Sequence, residues 1–259
     1  MLRFKSLGSG SSGNATVIQA REGQGPLTHL LVDCGLGIRQ LGTRLGQAGL
    51  LPDQLDAIFI THEHADHIGC ARQLALRERI PVWMSHGTWL ALGEPDFDGL
   101  LHLAADGVAI ELGSLRLRPF TVPHDAREPL QLACTDGATR LGVLTDLGHA
   151  SAHVMQELAG CDTLLLECNH DPDLLAVSSY PPFLKRRIAG DWGHLANAAA
   201  AEIAAALRAH GLKQVVAAHL SEQNNRPDLA QAAMASALGC GPGDVPVADG
   251  PSGCGWITA

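Results

Sequence analysis

Ala57-Ile58-Phe59-Ile60-Thr61-His62-Glu63-His64-Ala65-Asp66-His67 is the stretch that decides how this chain is read. Its opening residues are apolar, with the Ile and Phe content of a buried strand. The run ends in H-x-H-x-D-H. Imidazole nitrogen and carboxylate oxygen are ligands for zinc, iron or manganese. Four such groups in six residues crowd one tetrahedral ion, but they divide readily between two ions held side by side. A solvated turn would also put polar residues after a strand, yet it gives no reason for this spacing.

Two ions need more ligands, and other strand-like runs end in candidates. Val122-Pro123-His124-Asp125 follows the run 115–120. Leu144-Thr145-Asp146 closes 140–145, and Val215-Val216-Ala217-Ala218-His219 closes the last long apolar run. Each of these alone could be a capped turn residue. Together they complete a ligand set.

The surrounding chain reads as α/β. Strand-like runs occur at 2–6, 15–20, 29–33, 57–61, 82–85, 108–111, 115–119, 130–134, 140–145, 163–167 and 214–218. Helical periodicity covers 36–48, 66–79, 149–159, 195–210 and 227–238, the last opening on Pro227 and closing near Gly239. No fixed-period repeat or long linker interrupts them. The order predicts two sheets with helices outside, in a single α/β domain spanning 1–259.

Bulk properties narrow the function. Of 259 residues, 46% are hydrophobic and 17% charged, which is globular composition. The net charge of −9 excludes a broadly basic nucleic-acid coat but not a local basic patch. No segment approaches the ~20 apolar residues of a membrane span, and MLRFKSLGSG lacks a signal peptide's apolar run. The seven cysteines form no C-x-x-C pair and read as reduced. A soluble cytoplasmic protein without membrane partners is therefore expected.

Gly8-Ser9-Gly10-Ser11-Ser12-Gly13 fits G-x-G-x-x-G, with Asp33 twenty residues further on. A dinucleotide fingerprint requires a helix to open at the third glycine. Here Asn14-Ala15-Thr16-Val17-Ile18 follows, which reads as a strand. The loop is better read as a tight bend beside the active site, with small residues letting backbone amides approach metals or a substrate phosphate.

With these residues in place, the chain resembles the metallo-β-lactamase fold superfamily along nearly its whole length. The resemblance implies a four-layer αβ/βα sandwich with a dinuclear site at one edge of the two sheets. His62, His64 and His124 would hold one divalent ion, and Asp66, His67 and His219 the other, with Asp146 bridging. An Asp at the bridging position matches branches such as ribonuclease Z and glyoxalase II and departs from the antibiotic-hydrolysing ones. Asp33, in Leu-Val-Asp-Cys-Gly, matches a motif that supports the ligand loop from behind.

Further segments resemble the YycJ/WalJ group within that superfamily. They are Ser6 to Asn14, Pro123-His124-Asp125-Ala126, Asp146-Leu147-Gly148-His149, Glu167-Cys168-Asn169-His170-Asp171, Leu184 to Ile188, Gly193-His194-Leu195-Ala196-Asn197 and Ala218 to Asn225. Cys168 stands where Ala is expected and Ala196 where Ser is common. The implied activity is 5′→3′ exonucleolytic hydrolysis of DNA, with a metal-bridging hydroxide as nucleophile and Asp66, His194 and Glu167 in catalytic roles. His194, paired with Glu167, resembles the histidine that ribonuclease Z uses to protonate the leaving group. No segment long enough for a beta-CASP insertion lies between Asp146 and His219.

Some readings stay open on residues alone. The ions could be Zn²⁺, Mn²⁺ or Fe²⁺, since the set has no thiolate. The same centre could serve a small thioester, lactone or cyclic phosphodiester, or stabilise a non-catalytic binding module. Lys185-Arg186-Arg187 is either a solvated helix face or a contact for a nucleic-acid backbone. His153 reads as structural. His149 and His170 read either as supports of the site or as ordinary turn residues. The oligomeric state is left open.

Overall fold

The computed structural model describes residues 1–250 and 252–259. In the first sheet β1 (Leu2–Gly8), β2 (Ala15–Ala20) and β3 (Thr28–Val32) are antiparallel neighbours. Beyond β3, the strands β4 (Ala57–Phe59), β5 (Val82–Ser85) and β6 (Leu101–Ala104) are added in parallel. The second sheet opens with antiparallel β7 (Ile110–Leu112), β8 (Leu115–Thr121), β9 (Leu130–Thr135) and β10 (Arg140–Leu144). It continues in parallel through β11 (Thr163–Glu167) and β12 (Gln214–Ala218). β13 (Ile257–Thr258) closes the first sheet against β1.

Helices cover both outer faces. α1 (Ile38–Gln47), α2 (Ala65–Ile68), α3 (Ala71–Glu78) and α4 (His86–Ala91) follow strands of the first sheet. α5 (Ala152–Leu158), α6 (Pro172–Val177), α7 (Pro182–Ile188), α8 (Asn197–Arg208) and α9 (Pro227–Leu238) belong to the second half. The period-2 alternation of the strands sorts side chains into three cores. Phe4, Ile18, Leu30 and Phe59 meet Leu117, Leu132, Leu165 and Val216 between the sheets. Val17, Leu31 and Ile58 face Leu41 and Leu45 of α1 and Leu74 of α3. Leu164 and Leu166 face Leu158, Ile203, Leu207 and Met234. Each fully buried Leu or Phe contributes ~1.5–3 kcal/mol of transfer free energy. The result is the helix–sheet–sheet–helix order expected from the sequence.

Several details differ from the periodicity. The helix expected at 66–79 is two helices, α2 and α3. Gly69 between them sits at φ +31°, and a Cβ there would lie 2.3 Å from the Cys34 carbonyl oxygen. The break lets Cys34 N–H reach the His67 carbonyl (2.7 Å) and Cys70 N–H reach the Cys34 carbonyl (3.0 Å). The end of β3 is thereby clamped to the metal-ligating motif. β6, β13, α4 and α6 were not anticipated. The two strands are too short for a periodic signal. α4 and α6 are signalled only by their N-caps, where Ser85 Oγ accepts from Thr88 N and Asp171 from Asp173 N and Leu174 N.

The arrangement gathers chemistry at one edge. β3 and β4 run parallel, as do β10, β11 and β12, so their carboxyl ends point the same way. Asp33, the motif 62–67, Asp146, Glu167 and His219 all lie at or just beyond those ends. This is the usual location for sites on parallel strands. Among the described residues, no helix is long and apolar enough to cross a membrane.

Candidate metal centre

Three residues at this edge adopt a left-handed backbone: Asp33 (φ +61°), Asp146 (φ +53°) and His219 (φ +54°). The conformation costs an L-residue ~1–2 kcal/mol, although Asp and His tolerate it better than most. It turns the chain sharply out of each sheet while the side chain points into the gap between them. Gly35 serves the same end by having no side chain. A Cβ there would sit 1.7 Å from the Asp66 carbonyl oxygen, so only glycine lets the ligand helix approach.

His62, His64 and His124 converge from two chain segments. His62 Nε2 lies 3.0 Å from His64 Nδ1, and His124 Nε2 lies 3.4 Å from the same atom. Nitrogens on a tetrahedral zinc ion with 2.0–2.1 Å bonds stand about 3.3 Å apart, so the spacing suits one ion. The outer nitrogens are occupied. His124 Nδ1 faces the Gly193 carbonyl at 3.1 Å, and His62 Nδ1 faces Thr61 Oγ1 at 3.0 Å. These acceptors fix the tautomer that directs each Nε2 lone pair inward. Burial lowers the pKa of His124. Burial together with the neighbouring His67 lowers that of His62 further, so both rings are neutral donors.

The second group is Asp66, His67 and His219, whose ligand atoms lie within 4.8 Å of one another; Asp146 likewise groups with His62 and His67. His67 Nδ1 is anchored on Asp33 Oδ2 (2.8 Å), and Asp33 also accepts from Thr61 N (2.9 Å) and Thr61 Oγ1. His67 Nε2 therefore turns inward, 3.1 Å from Asp146 Oδ2 and 3.1 Å from Asn14 Nδ2. His219 Nδ1 faces Glu167 Oε1 at 3.2 Å, and its Nε2 lies 3.4 Å from Asp146 Oδ1 and 3.8 Å from Asp66 Oδ2.

Charge in this half follows a pattern. Burial would raise Asp146, but the His219 and His67 imidazoles outweigh it and hold the carboxyl well below its usual range. Asp66 is lowered in the same way. Conversely, burial would lower His67 and His219, but Asp146 chiefly reverses this. His67 ends well above its ordinary value and His219 at about 10. Imidazoles and carboxylates thus shift one another toward their charged forms.

These pairings do not complete the site. Asp146 Oδ2 and His219 Nε2 are buried without a well-aligned hydrogen bond, despite the short distances around them. Native proteins rarely leave such atoms unpaired. Unpaired inward-facing donors, outer nitrogens locked on acceptors and clustered carboxylates all fit divalent cations. The donor set holds no thiolate.

Glu167 lies behind this centre, fully buried at the end of β11. Its Oε1 takes His194 Nδ1 at 2.7 Å, and its Oε2 accepts from Leu147 N (3.0 Å) and Leu195 N (3.2 Å). Burial works against its charge, but His194 and His219 bring its pKa down to about 2. Glu167 in turn raises His194 against its burial. The His194 ring stacks on His219 with centroids 5.4 Å apart, and it lines a cleft of about 390 Å³ with His64, Asp66, Asp146 and His219.

All nine residues singled out for metal or catalysis thus come together: His62, His64, Asp66, His67, His124, Asp146, Glu167, His194 and His219. His153 and His149 stand apart from them. His153 is paired with Asp106 at the surface (2.9 Å), and exposed His149 bonds the Asp191 carbonyl. His170 is buried, with its backbone bridged to Ala196.

The glycine-rich loop is followed by strand β2, and it supports the site differently from expectation. Gly10 N–H goes to Asn14 Oδ1, Gly13 N–H to Gly10 O and Asn14 N–H to Asp66 O. These amides are occupied within the protein and do not face a ligand. Side chains act instead: Asn14 reaches His67, and Ser9 Oγ accepts from His219 N (2.7 Å). Sequence reasoning missed Asn14, Ser9 and Thr61. The signal available was their position, immediately beside glycines or the first ligand. It also missed the contact of Arg187 Nε with Asp125 Oδ2 (2.5 Å), which ties α7 to the residue after His124.

Known proteins resemble the chain in sequence and in fold. Residues 28–220 match the model of the β-lactamase superfamily domain. The chain is 32% identical over 241 residues to the exodeoxyribonuclease WalJ of Streptococcus pneumoniae serotype 2 (strain D39 / NCTC 7466), covering 91% of this chain and 88% of that protein. It is 33% identical over 241 residues to the exodeoxyribonuclease YycJ of Bacillus anthracis, covering 92% and 89%. In fold it is similar to the metallo-β-lactamase fold protein YhfI of Bacillus subtilis (TM-score 0.75, 16% identity, 100% of both chains). It is also similar to Zn²⁺-bound PqqB of Methylobacterium extorquens (TM-score 0.70, 16% identity, 100% of both chains).

Proposed function

We propose that this chain, which belongs to the β-lactamase superfamily, is a dinuclear metal-dependent phosphodiesterase that degrades DNA exonucleolytically from the 5′ end. The observation that carries the reading is that two buried atoms inside the ligand cluster, Asp146 Oδ2 and His219 Nε2, lack a well-aligned hydrogen bond. In this reading His62, His64 and His124 would hold one ion and Asp66, His67 and His219 the other, with Asp146 available to both. Zn²⁺, Mn²⁺ and Fe²⁺ all suit these donors. When bound, two such ions supply water activation near neutral pH and neutralise charge on the phosphate.

The chain's own residues would do the rest. His194 stands at the cleft with Nδ1 held by Glu167, so its Nε2 is the free proton-bearing atom. That nitrogen is placed to protonate the departing 3′-oxygen. Glu167 keeps the imidazole charged and oriented and fixes His219 at the same time. Asp66, about a quarter exposed, is the ligand closest to solvent in its trio and the one whose loss should stop turnover. Seven unpaired cysteines support a cytoplasmic location.

The test is incubation of pure protein with Mn²⁺ and end-labelled DNA carrying a 5′-phosphate, alongside a panel of thioester, lactone and cyclic phosphodiester substrates. Shortening that begins at the labelled 5′ end is the expected result. Metal-loaded protein that leaves DNA intact but turns over a small ester would overturn the DNA reading.

A further inference from the structure

The cleft has a wall unlike the rest of the surface. Tyr180 and three residues of α7, Leu184, Arg187 and Ile188, line it opposite the metal-ligating groups. Arg187 is the sole Arg or Lys among those lining residues. The chain has five Phe, four Trp and one Tyr. Only two of these aromatics stand more than half in solvent, Phe183 (66%) and Trp192 (61%). Each is the chain neighbour of a lining residue, Phe183 of Leu184 and Trp192 of Gly193, and Val177 (81%) precedes the wall.

Phe183 lies one turn before Arg187 on α7 and next to the lining residue Leu184, so it stands at the edge of the face that meets the cleft, whereas Arg186 is turned away from it. The Trp192 carbonyl accepts from Asp125 N (3.0 Å), while the Asp125 carboxylate holds Arg187. Gly148 lets this loop close down, since a Cβ there would lie 2.2 Å from Asp191. The Trp192 backbone is thus fixed beside His124 and its indole is left in water. Lys185 is turned to the Ala176 carbonyl (2.7 Å), whereas Arg186 is exposed. This is the dense basic run of a chain with net charge −9.

Resting on the functional reading above, we propose that Phe183 and Trp192 are a stacking rim for unpaired bases of a DNA end, with Arg187 taking an adjacent backbone phosphate. Charge favours a nucleic acid over an apolar protein partner, and the continuity of the rim with the cleft favours the substrate strand. Aromatic rings that accept base faces require bases released from a duplex, so the strand enters unpaired. Stacking on aromatics is indifferent to sequence, which suits removal of nucleotides whatever their base.

The test compares metal-loaded parent protein with a Phe183→Ala/Trp192→Ala variant. The probes are a short phosphorothioate oligodeoxythymidine and an abasic oligomer of the same backbone. The parent should bind the base-bearing probe at least about fivefold more tightly, the value of one stacked base. In the variant the two affinities should become equal, with a raised KM and unchanged kcat on DNA. Trp192→Phe with Phe183→Tyr should restore the preference, which separates stacking from a folding defect. A parent that degrades DNA but binds both probes alike, or a variant that keeps the preference, overturns the rim alone. A patch that serves a protein partner would give that same result. A parent that neither binds nor degrades DNA overturns the functional reading as well.

Discussion

Replacing Glu167 by Gln tests the logic of the centre with almost no change of shape. One end of the side chain still offers an oxygen to the Leu147 and Leu195 amides. The other end becomes an NH₂ group facing Nδ1 of both His194 and His219. Each imidazole must then present a lone pair at Nδ1 and carry its proton on Nε2. For His219 that proton occupies the atom proposed to bind metal. For His194 the charged form loses its partner. The carboxylate sits at about 2 against an ordinary value of 4.5. At ~1.4 kcal/mol per unit its ionised form contributes about 3 kcal/mol. Because the folded pKa is depressed, that contribution is present above pH ~4.5 and is lost as pH falls from there through about 2. The variant should therefore lose about 3 kcal/mol at neutral pH and retain no such acid-dependent step. Metal affinity should fall ~10–100-fold, and kcat at saturating metal by ~100-fold or more, the range for a displaced general acid. Calorimetric metal titration, chemical denaturation at several pH values and turnover on labelled DNA read the three effects separately. Unchanged metal affinity together with undiminished kcat would refute the argument that Glu167 sets both imidazoles.

Other outcomes follow from the same geometry. Asp66→Asn should abolish hydrolysis while leaving the denaturation midpoint nearly unchanged, since the side chain is partly solvated; an unaltered rate would remove the enzyme reading altogether. Gly35→Ala should destabilise by about 3 kcal/mol or more, because the new methyl meets the Asp66 carbonyl, and a thermal melt with metal analysis should show both a lower Tm and lost metal. Metal uptake should release protons. His219, raised to about 10, and His67 are charged in the metal-free protein and must be neutral to bind. Affinity should therefore climb as pH rises from 6 through 9, and calorimetry in two buffers of different ionisation enthalpy should show the released protons. Their charged forms support the metal-free fold below pH ~6.5 and cease to do so as pH rises through about 10, so that protein should melt earlier at high pH.

The sequence exposed the strands and the ligands for related reasons. A strand buried on both faces is a short apolar run, as in Thr163–Glu167, and its end is marked where a His, Asp or Glu interrupts it. Helices with a full apolar face, α1, α8 and α9, were equally plain. The division of 66–79 was hidden because it arises from the Cys34 carbonyl docking at Gly69, a contact between segments thirty-five residues apart. The network behind the ligands was hidden for the same reason. Nothing local in Asn14, Ser9 or Arg187 tells that they meet His67, His219 and Asp125. Patterning reports what a residue needs from its own element, whereas these contacts are set by how two sheets close on one another.

The left-handed turns at Asp33, Asp146 and His219 constrain how this centre can be altered. Each position is selected twice, by donor atom and by backbone. Asparagine at 146 keeps the tolerated geometry while dulling the ligand, but a β-branched replacement fails before its chemistry is tried. A mutational scan ranked by side-chain similarity alone would thus misorder these sites. A paired comparison of Asp146→Asn with Asp146→Thr would measure directly how much of their intolerance is conformational. Drift toward other metals or substrates in such a scaffold is easier through residues like Asp66 and His64, which carry ligating groups without that second restriction.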